Sequence, residues 1–321
     1  MTRLTSPGSQ PLTALFDVRY PIVQAGMVWV SGGRLAAAAA EAGCLGLIGA
    51  GSMTPDLLRH HVRKARALTD RPIGVNIPLL YDHAAEQVRV ALAEGIRVFF
   101  TSAGSPRTFT PTLKAEGAVV VHVTSSPDLA TKCEAAGCDA VVAEGFEAGG
   151  HNGRDEITTI VLVREVVQAV GIPVIAAGGI GDGYAIAAAL ALGASGVQIG
   201  TRFAATVESS AHPRFKEAVV GAGAGATLLT MKKHVPVRMM RNRFFEEVAA
   251  LEARGGSLEE LRALLGHGRA RRGIHEGDLD QGELEMGQVS GLIRDVPTCA
   301  DLVGRLVRDY EAAVAGLPQG L

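Results

Sequence analysis

Short apolar runs alternate with amphipathic, alanine-rich stretches from Tyr20 to Phe203. The apolar runs span four to six residues, which is short for a helix and typical of a strand. They are continuous instead of alternating with polar residues, as expected for parallel strands that are buried on both faces. The pattern predicts eight strands, near residues 21–25, 45–49, 72–77, 97–102, 119–124, 140–144, 173–177 and 196–200.

A recurring phrase marks the return from a helix to the next strand. In each copy a glycine ends the helix and a strand starts shortly afterwards, which fits a glycine C-cap and a short loop. The copies are AEAGCLGLI at 40–48, LAEGIRVFF at 92–100, KAEGAVVVH at 114–122, EAAGCDAVV at 134–142 and ALGASGVQI at 191–199. Eight repeated βα units favour a closed (β/α)8 barrel over an open, doubly wound sheet.

The pattern changes after Phe203. Residues 204–297 are irregular and helical, with amphipathic segments at 242–253 and 258–265. A last amphipathic helix at about 299–314 is expected to return to the barrel as its eighth helix. We therefore predict a barrel domain of residues 15–203 and 298–316, with a mostly helical insertion or lid of residues 204–297 after strand eight.

Composition limits the kind of partner. The 31 basic and 33 acidic residues give a formal charge of −2, so no overall field attracts nucleic acid or an anionic membrane. We expect a small-molecule substrate and neither a nucleic-acid nor a membrane partner. The first twenty residues have no unbroken apolar run of seven, so a secretory signal is not indicated and a cytoplasmic location is expected.

Cysteine and histidine spacing does not indicate a metal site. No CxxC pair is present, and two histidines and a carboxylate never occur at ligand spacing. We predict no bound metal. The cysteines are interpreted as reduced packing residues: Cys44, Cys133, Cys138 and Cys299.

The segment 172–203 has the features of a phosphate site. Gly178 and Gly179 follow an apolar strand, and they remove the Cβ atoms that would keep a ligand from the backbone amides. A helix that begins near Asp182 points its positive end at the same place. Gly200 and Thr201 end the next strand, and the loops after strands seven and eight of such a barrel commonly hold a phosphate. The alternative is that these glycines only form tight turns.

Two polar residues are candidates for chemistry. His151 lies among glycines after strand six, where an imidazole can move a proton near neutral pH. A loop histidine bonded to a carbonyl is the alternative. Asn76 is an amide on a buried strand and needs a partner, which a cofactor ring or an internal network would provide.

Other polar residues receive simpler interpretations. His122 is interpreted as a satisfied core histidine, and the role of Glu144 stays open. His60, His61 and His83 are expected on solvent-facing helix surfaces. The basic segment 231–245 is interpreted as a solvated surface, in preference to a site for the acidic tail of a coenzyme or carrier.

Five motifs occur in an order that resembles a known family. They are PIVQAGMVWV at 21–30, GVN at 74–76, EGFEAGGHNG at 144–153, IAAGGIGDG at 175–183 and VQIGTRF at 197–203. The chain resembles the nitronate monooxygenase (2-nitropropane dioxygenase-like) FMN flavoproteins from about residue 15 to 310. FMN-dependent enoyl-acyl-carrier-protein reductases and NADH:quinone reductases share these motifs.

The resemblance implies FMN as cofactor and His151 as the catalytic residue. It places the ring and phosphate contacts at Ala25, Gly26, Met27, Asn76, Val123, Gly149, Gly150, Ala177, Gly178, Gly179, Gly200 and Thr201. Some relatives carry lysine where this chain has Val123, so the positive charge that tunes the flavin is missing here.

The implied activity is oxidation of alkyl nitronates to carbonyl compounds and nitrite with O2. One alternative reverses the electron flow, with NAD(P)H reducing FMN and the flavin then reducing an enoyl thioester or a quinone. A remote alternative is a non-catalytic barrel that binds a phosphorylated metabolite. The resemblance leaves open whether the chain forms a homodimer.

Overall fold

A computed structural model describes residues 11–318. In this range, eight strands pair in parallel and the last of them pairs with the first, so the sheet closes into a barrel. The predicted (β/α)8 barrel is confirmed, and the bounds of its eight strands agree with the predicted ones to within one residue. The strands are β1 (Ile22–Gln24), β2 (Leu45–Gly49), β3 (Ile73–Pro78), β4 (Val98–Ser102), β5 (Val119–Thr124), β6 (Ala140–Glu144), β7 (Gly150–His151), β8 (Val174–Ala177), β9 (Gly196–Ile199), β10 (Thr227–Thr230) and β11 (Val237–Met240).

Helices cover the outside of the barrel and form much of the segment after it. They are α1 (Leu12–Phe16), α2 (Gly33–Glu41), α3 (Pro55–Arg66), α4 (Ala84–Ala93), α5 (Thr110–Ala115), α6 (Pro127–Ala135), α7 (Thr159–Ala169), α8 (Gly183–Ala191), α9 (Thr201–Ala204), α10 (Pro213–Val220), α11 (Arg243–Ala253), α12 (Leu258–Leu265) and α13 (Cys299–Ala315). Helix α13 packs against α8 and α2, in the position of the eighth barrel helix. No helix between residues 11 and 318 is both long and apolar enough to cross a membrane.

The barrel strands are buried on both faces, which explains their continuous apolar sequences. Side chains at every second position fill the interior, for example Leu45 and Leu47 of β2. The intervening residues pack outward against the helices. Helix α1 closes the amino-terminal end of the barrel, where the Phe16 ring lies 6.0 Å from the ring of Phe100. The opposite end, at the carboxyl ends of the strands, is left for a site.

The segment that follows β9 contains two short strands that the sequence pattern did not predict. Strands β10 and β11 pair antiparallel, and β11 also pairs with β7, which lies after barrel strand β6. Strands β10 and β11 have only four residues each, so their hydrophobic pattern is a weak signal. The pairing of β11 with β7 leaves no local signal, because the two strands are distant in sequence. Helix α11 and helix α12 share a small core of their own with β11.

Candidate active site

A cavity of about 460 Å³ opens at the carboxyl ends of the barrel strands. Every site residue predicted from the sequence borders it. These residues are Ala25, Gly26, Met27, Asn76, Val123, Gly149, Gly150, His151, Ala177, Gly178, Gly179, Gly200 and Thr201. The structure therefore brings together, in one place, residues from six different strand ends.

Exposed backbone forms one side of the cavity. Gly178 and Gly179 follow β8 with φ values of +94° and +68°, a region that side chains rarely adopt. A Cβ atom on Gly178 would lie 2.7 Å from the carbonyl oxygen of Gly145. The helix α8 begins just beyond, with Asp182 as its N-cap and the Asp182 carboxylate accepting from the Ala185 amide at 2.8 Å. This side offers backbone amides and a helix N-terminus, the arrangement that binds phosphate.

The end of β9 completes that side. Gly200 lies beside Met27, because a Cβ atom on Gly200 would be 3.4 Å from the Met27 sulfur. The Thr201 hydroxyl accepts a hydrogen bond of 2.9 Å from the Gly287 amide, which ties the segment before α13 to the barrel. Both residues border the cavity with no charged side chain.

A second wall joins the ends of β1 and β3. The Asn76 Nδ2 donates to the Gly26 carbonyl oxygen at 3.1 Å. Gly26 must be glycine here, since a Cβ atom would lie 2.4 Å from Cβ of Asn76. The Asn76 amide is therefore held at the cavity wall, and its oxygen is left to accept a bond from a ligand.

His151 is the last residue of β7 and lies opposite Val237 of β11. The strand pairing fixes its backbone, while its side chain is 56% exposed and borders the cavity. The His151 Nδ1 lies 3.9 Å from Oε1 of Glu285. That distance is longer than a hydrogen bond, but catalytic contacts often shorten when a substrate is bound.

Glu285 is a cavity residue that the sequence did not indicate. The Glu285 carboxylate lies close to Gly150, since a Cβ atom on Gly150 would be 3.1 Å from Glu285 Oε2. Burial raises the pKa of Glu285, and burial together with the Glu285 charge raises the pKa of Glu283. The only sequence signal is the pair of carboxylates at Glu283 and Glu285, and sequence does not show which of them faces His151.

Asn152 was also missed. Its Nδ2 donates to the carbonyl oxygens of Ala148 and Gly150, both at 2.9 Å. The Asn152 Oδ1 is buried and has no hydrogen-bond partner in residues 11–318. A buried acceptor without a partner is costly, so a donor on a bound ligand would fit at this point of the cavity.

Glu144 and His122 also border the cavity. Burial raises the pKa of Glu144 to about 7 and lowers the pKa of His122 to about 4. The His122 Nδ1 lies 2.6 Å from the Thr101 hydroxyl, so this histidine is buried, neutral and hydrogen-bonded, in agreement with the prediction of a satisfied core residue. His122 is therefore uncharged near neutral pH, whereas Glu144 changes its charge in that range.

Two predictions about charged residues are wrong. Arg238 is not part of a solvated surface, because it is only 2% exposed, and its Nε donates to the Phe146 carbonyl oxygen at 2.9 Å. Its neighbours Lys232, Lys233 and Arg241 are exposed, as predicted. His61 does not face solvent fully, since it is half-buried and its Nδ1 accepts from the Gly33 amide at 3.0 Å.

The remaining polar chemistry is limited. All four cysteines are buried and free of disulfides, as predicted. Within residues 11–318, no group of three or more histidine, cysteine, aspartate or glutamate side chains is arranged to hold a metal ion. The cavity thus combines small, neutral walls with one exposed imidazole and a few buried carboxyls.

Known proteins are similar to this chain in sequence and in fold. The sequence profile of a family described as nitronate monooxygenase matches residues 9–309. A nitronate monooxygenase from Pseudomonas aeruginosa is 36% identical to this chain, over 74% of this chain and 81% of its own length.

Two further relatives cover nearly the whole chain. One, from Mycobacterium tuberculosis, is named (3aS,4S,5R,7aS)-5-hydroxy-7a-methyl-1-oxo-octahydro-1H-indene-4-carboxyl-CoA dehydrogenase, and it is 34% identical over 93% of this chain and 95% of its own length. The solved structure of FabK from Thermotoga maritima is 42% identical, with a TM-score of 0.90, and the match covers 95% of this chain and 96% of that one.

Proposed function

The chain belongs to the nitronate monooxygenase family, and on that premise we propose that this enzyme uses FMN to oxidise alkyl nitronates to carbonyl compounds and nitrite with O2. Membership of this family shows that the chain is an oxidoreductase, whereas its cofactor and its substrate are proposed here. One arrangement supports it most directly. The bare backbone at Gly178 and Gly179 and the exposed imidazole of His151 border the same cavity.

The residues present fit FMN. The amides near Gly178, Gly179, Gly200 and Thr201 would hold its phosphate, because the three glycines carry no Cβ atom and helix α8 points its N-terminus there. The small neutral wall at Gly26 and the Asn76 amide would suit a flat ring that carries hydrogen-bonding groups. No charged side chain has to contact the phosphate, because the helix dipole and the backbone amides favour an anion.

Bound FMN would supply the redox chemistry, which protein side chains cannot provide. The protein contributes a proton carrier and a shaped, largely uncharged cavity. His151 would take the proton from the carbon of a neutral nitroalkane and hold it on the imidazole. Glu285, whose Oε1 lies 3.9 Å from His151 Nδ1, would orient the imidazole ring. A nitronate is already an anion and does not need this step.

The direct test is nitrite formation. Protein loaded with FMN is supplied with ethyl nitronate in air, and oxygen uptake and nitrite are measured together. We expect both to depend on the enzyme and on bound FMN. If the loaded protein consumes no oxygen and releases no nitrite above the rate without enzyme, the proposed substrate is wrong.

A second candidate is an NAD(P)H-dependent FMN reductase that acts on a thioester. The observation that favours a thioester substrate is the carboxyl-CoA compound in the name of the M. tuberculosis relative, a dehydrogenase that matches 93% of this chain. Anaerobic mixing separates the two candidates. Rapid loss of the flavin colour with NADH or NADPH favours the reductase, and loss of colour with nitronate alone favours the monooxygenase.

A further inference from the structure

A second cavity of about 320 Å³ adjoins the first. The two cavities share His151 and Val235 as lining residues, so their boundary lies at the exposed imidazole. The second cavity lies under helix α12 of the segment that follows the barrel. Its large apolar lining residues are Met231, Val235, Val237, Leu258, Leu261 and Leu265.

This cavity borders a small hydrophobic core, and core residues form part of its lining. Met231, Val237 and Leu261 are buried members of the core that α11 and α12 share with β11. Val235 and Leu258 stay exposed at its edge, at 51% and 39%. An apolar concavity that is rimmed by polar groups and continuous with a catalytic cavity is typical of a ligand subsite.

Contacts on both sides keep the cavity open. Lys232 Nζ lies 2.9 Å from Glu156 Oε2, and Arg154 Nη2 donates to the His234 carbonyl oxygen at 3.0 Å, so the loop that carries Val235 is fixed to the barrel loops. Arg269 donates to the carbonyl oxygens of Leu264 and Gln281. A wall that is already ordered costs little further entropy when a ligand binds.

The charged groups at the cavity do not require a charged occupant. Arg269 is occupied by the carbonyls named above and also lies over the Phe244 ring at 4.7 Å. Burial raises the pKa of Glu283, which favours its neutral form. Arg262 lies on the exposed face of α12. The rest of the lining is mostly hydrocarbon, and the polar side chains that border this cavity are His151, His234, Arg262, Arg269 and Glu283.

We propose that the second cavity binds an apolar chain of the substrate, whose reacting carbon lies beside His151 in the first cavity. This inference rests on the proposed function and adds the substrate class: molecules with a long hydrocarbon part, which extends past His151 and Val235 into the second cavity. The chain can belong to a nitroalkane or to an acyl thioester, which share the same tail chemistry.

Two series of ligands measure the effect and identify the source of the tail. The first compares kcat/KM for 1-nitrooctane and nitroethane. The second compares the Kd of decanoyl-CoA and acetyl-CoA on FMN-loaded protein by calorimetry, without turnover. Burying one methylene strengthens binding by about threefold to fourfold, so we expect the longer member to be favoured at least about tenfold in one series or both.

Matched variants show whether the gain arises in the second cavity. Leu258→Asp places a charge in it at the first turn of α12, and Leu57→Asp is the control, at the first turn of α3 with similar exposure (41% against 39%). Val235→Asp and its control Val207→Asp repeat the comparison in loops. We expect both cavity variants to reduce the long-chain gain to about threefold or less, and both controls to keep it.

The outcomes separate this inference from the proposed function. A gain that the cavity variants abolish supports the inference, in whichever series it occurs. Absence of a gain in both series, or a gain that Leu258→Asp and Val235→Asp leave intact, overturns it. The CoA arm needs no reaction, so a failure to form nitrite from any nitroalkane would overturn the proposed reaction and leave the binding result standing.

Discussion

Single residues shape the cavity as much by what they lack as by what they carry. Gly26, Gly149 and Gly178 each lie so close to neighbouring atoms that a Cβ atom would clash. His151 shows the opposite case, because its side chain is exposed at the cavity while its backbone is fixed by strand pairing. The glycine pair 178–179 and a histidine among glycines are local signals in the sequence, whereas Gly26 and Gly149 were assigned through the family resemblance. The sequence did not indicate Glu285 or Asn152, whose positions depend on distant contacts.

Gly179→Ala tests the phosphate side of the cavity. Gly179 and Gly137 both have positive φ, so alanine costs about 1–2 kcal/mol of strain at either position. A Cβ atom on Gly179 contacts Glu147 at 3.4 Å, at the cavity, whereas one on Gly137 meets nothing within 4 Å. We expect a similar loss of stability in both variants and an FMN Kd raised about tenfold in Gly179→Ala alone, through a weakened phosphate contact. Equal FMN affinity in the two variants would contradict the assignment.

His151→Asn tests the proton carrier. Asparagine keeps a polar side chain but cannot accept the proton, so turnover of a neutral nitroalkane should fall by about 10²–10⁴. The preformed nitronate should be affected far less, and FMN content should be unchanged. His83→Asn, at an exposed helix start, is the control. Unchanged turnover with the neutral nitroalkane would remove the imidazole from the mechanism.

Secondary-structure elements determine where His151 lies. Strand β7 has two residues and is held by β11, which belongs to a segment more than eighty residues later in the sequence. Arg238 of β11 secures this contact, since it donates to Phe146 and to Thr227 and lies over the Phe146 ring at 5.1 Å. The eight barrel strands were predictable because each has its own apolar run. The β10–β11 pair and the burial of Arg238 were not, because they depend on pairing between distant segments.

Arg238→Met tests this coupling between elements. The substitution keeps much of the side-chain volume but leaves the partly buried Phe146 carbonyl without its donor, so we expect a loss of about 2–4 kcal/mol in unfolding free energy. Faster hydrogen exchange at residues 146–153 should accompany it. Arg243→Met, whose parent side chain is 69% exposed, should change stability by less than about 1 kcal/mol. Unchanged exchange in Arg238→Met would show that β7 is held by other contacts.

At the scale of the whole molecule, the repeated βα unit was enough to predict barrel closure and the end at which the site lies. The same information could not predict the second cavity or the burial of Glu283 and Glu285, because both form where the later segment packs on the barrel. These two carboxyls and Glu144 of β6 have a consequence for the entire fold. Glu144, Glu283 and Glu285 each have a raised pKa because of burial.

Glu144→Gln tests that consequence. The folded chain binds the Glu144 proton up to a pKa of about 7, compared with an ordinary value of 4.5, so it loses stability relative to the unfolded chain as pH rises from about 5 to 8. Relative to Glu144→Gln, the wild type should therefore lose on the order of 1–2 kcal/mol over this range. Unfolding at a series of pH values measures it, with the exposed Glu165→Gln as control. A constant difference between wild type and Glu144→Gln would contradict the assignment.

The visible absorption spectrum of the FMN-loaded, desalted protein tests the central claim most directly. The account predicts the spectrum of oxidised flavin, retained at about one FMN for each folded chain through the amides at the ends of β8 and β9, and lost on unfolding. The experiment uses a protein concentration well above the Kd expected for a tightly bound cofactor. A folded protein that keeps no flavin after desalting under this condition would contradict the account.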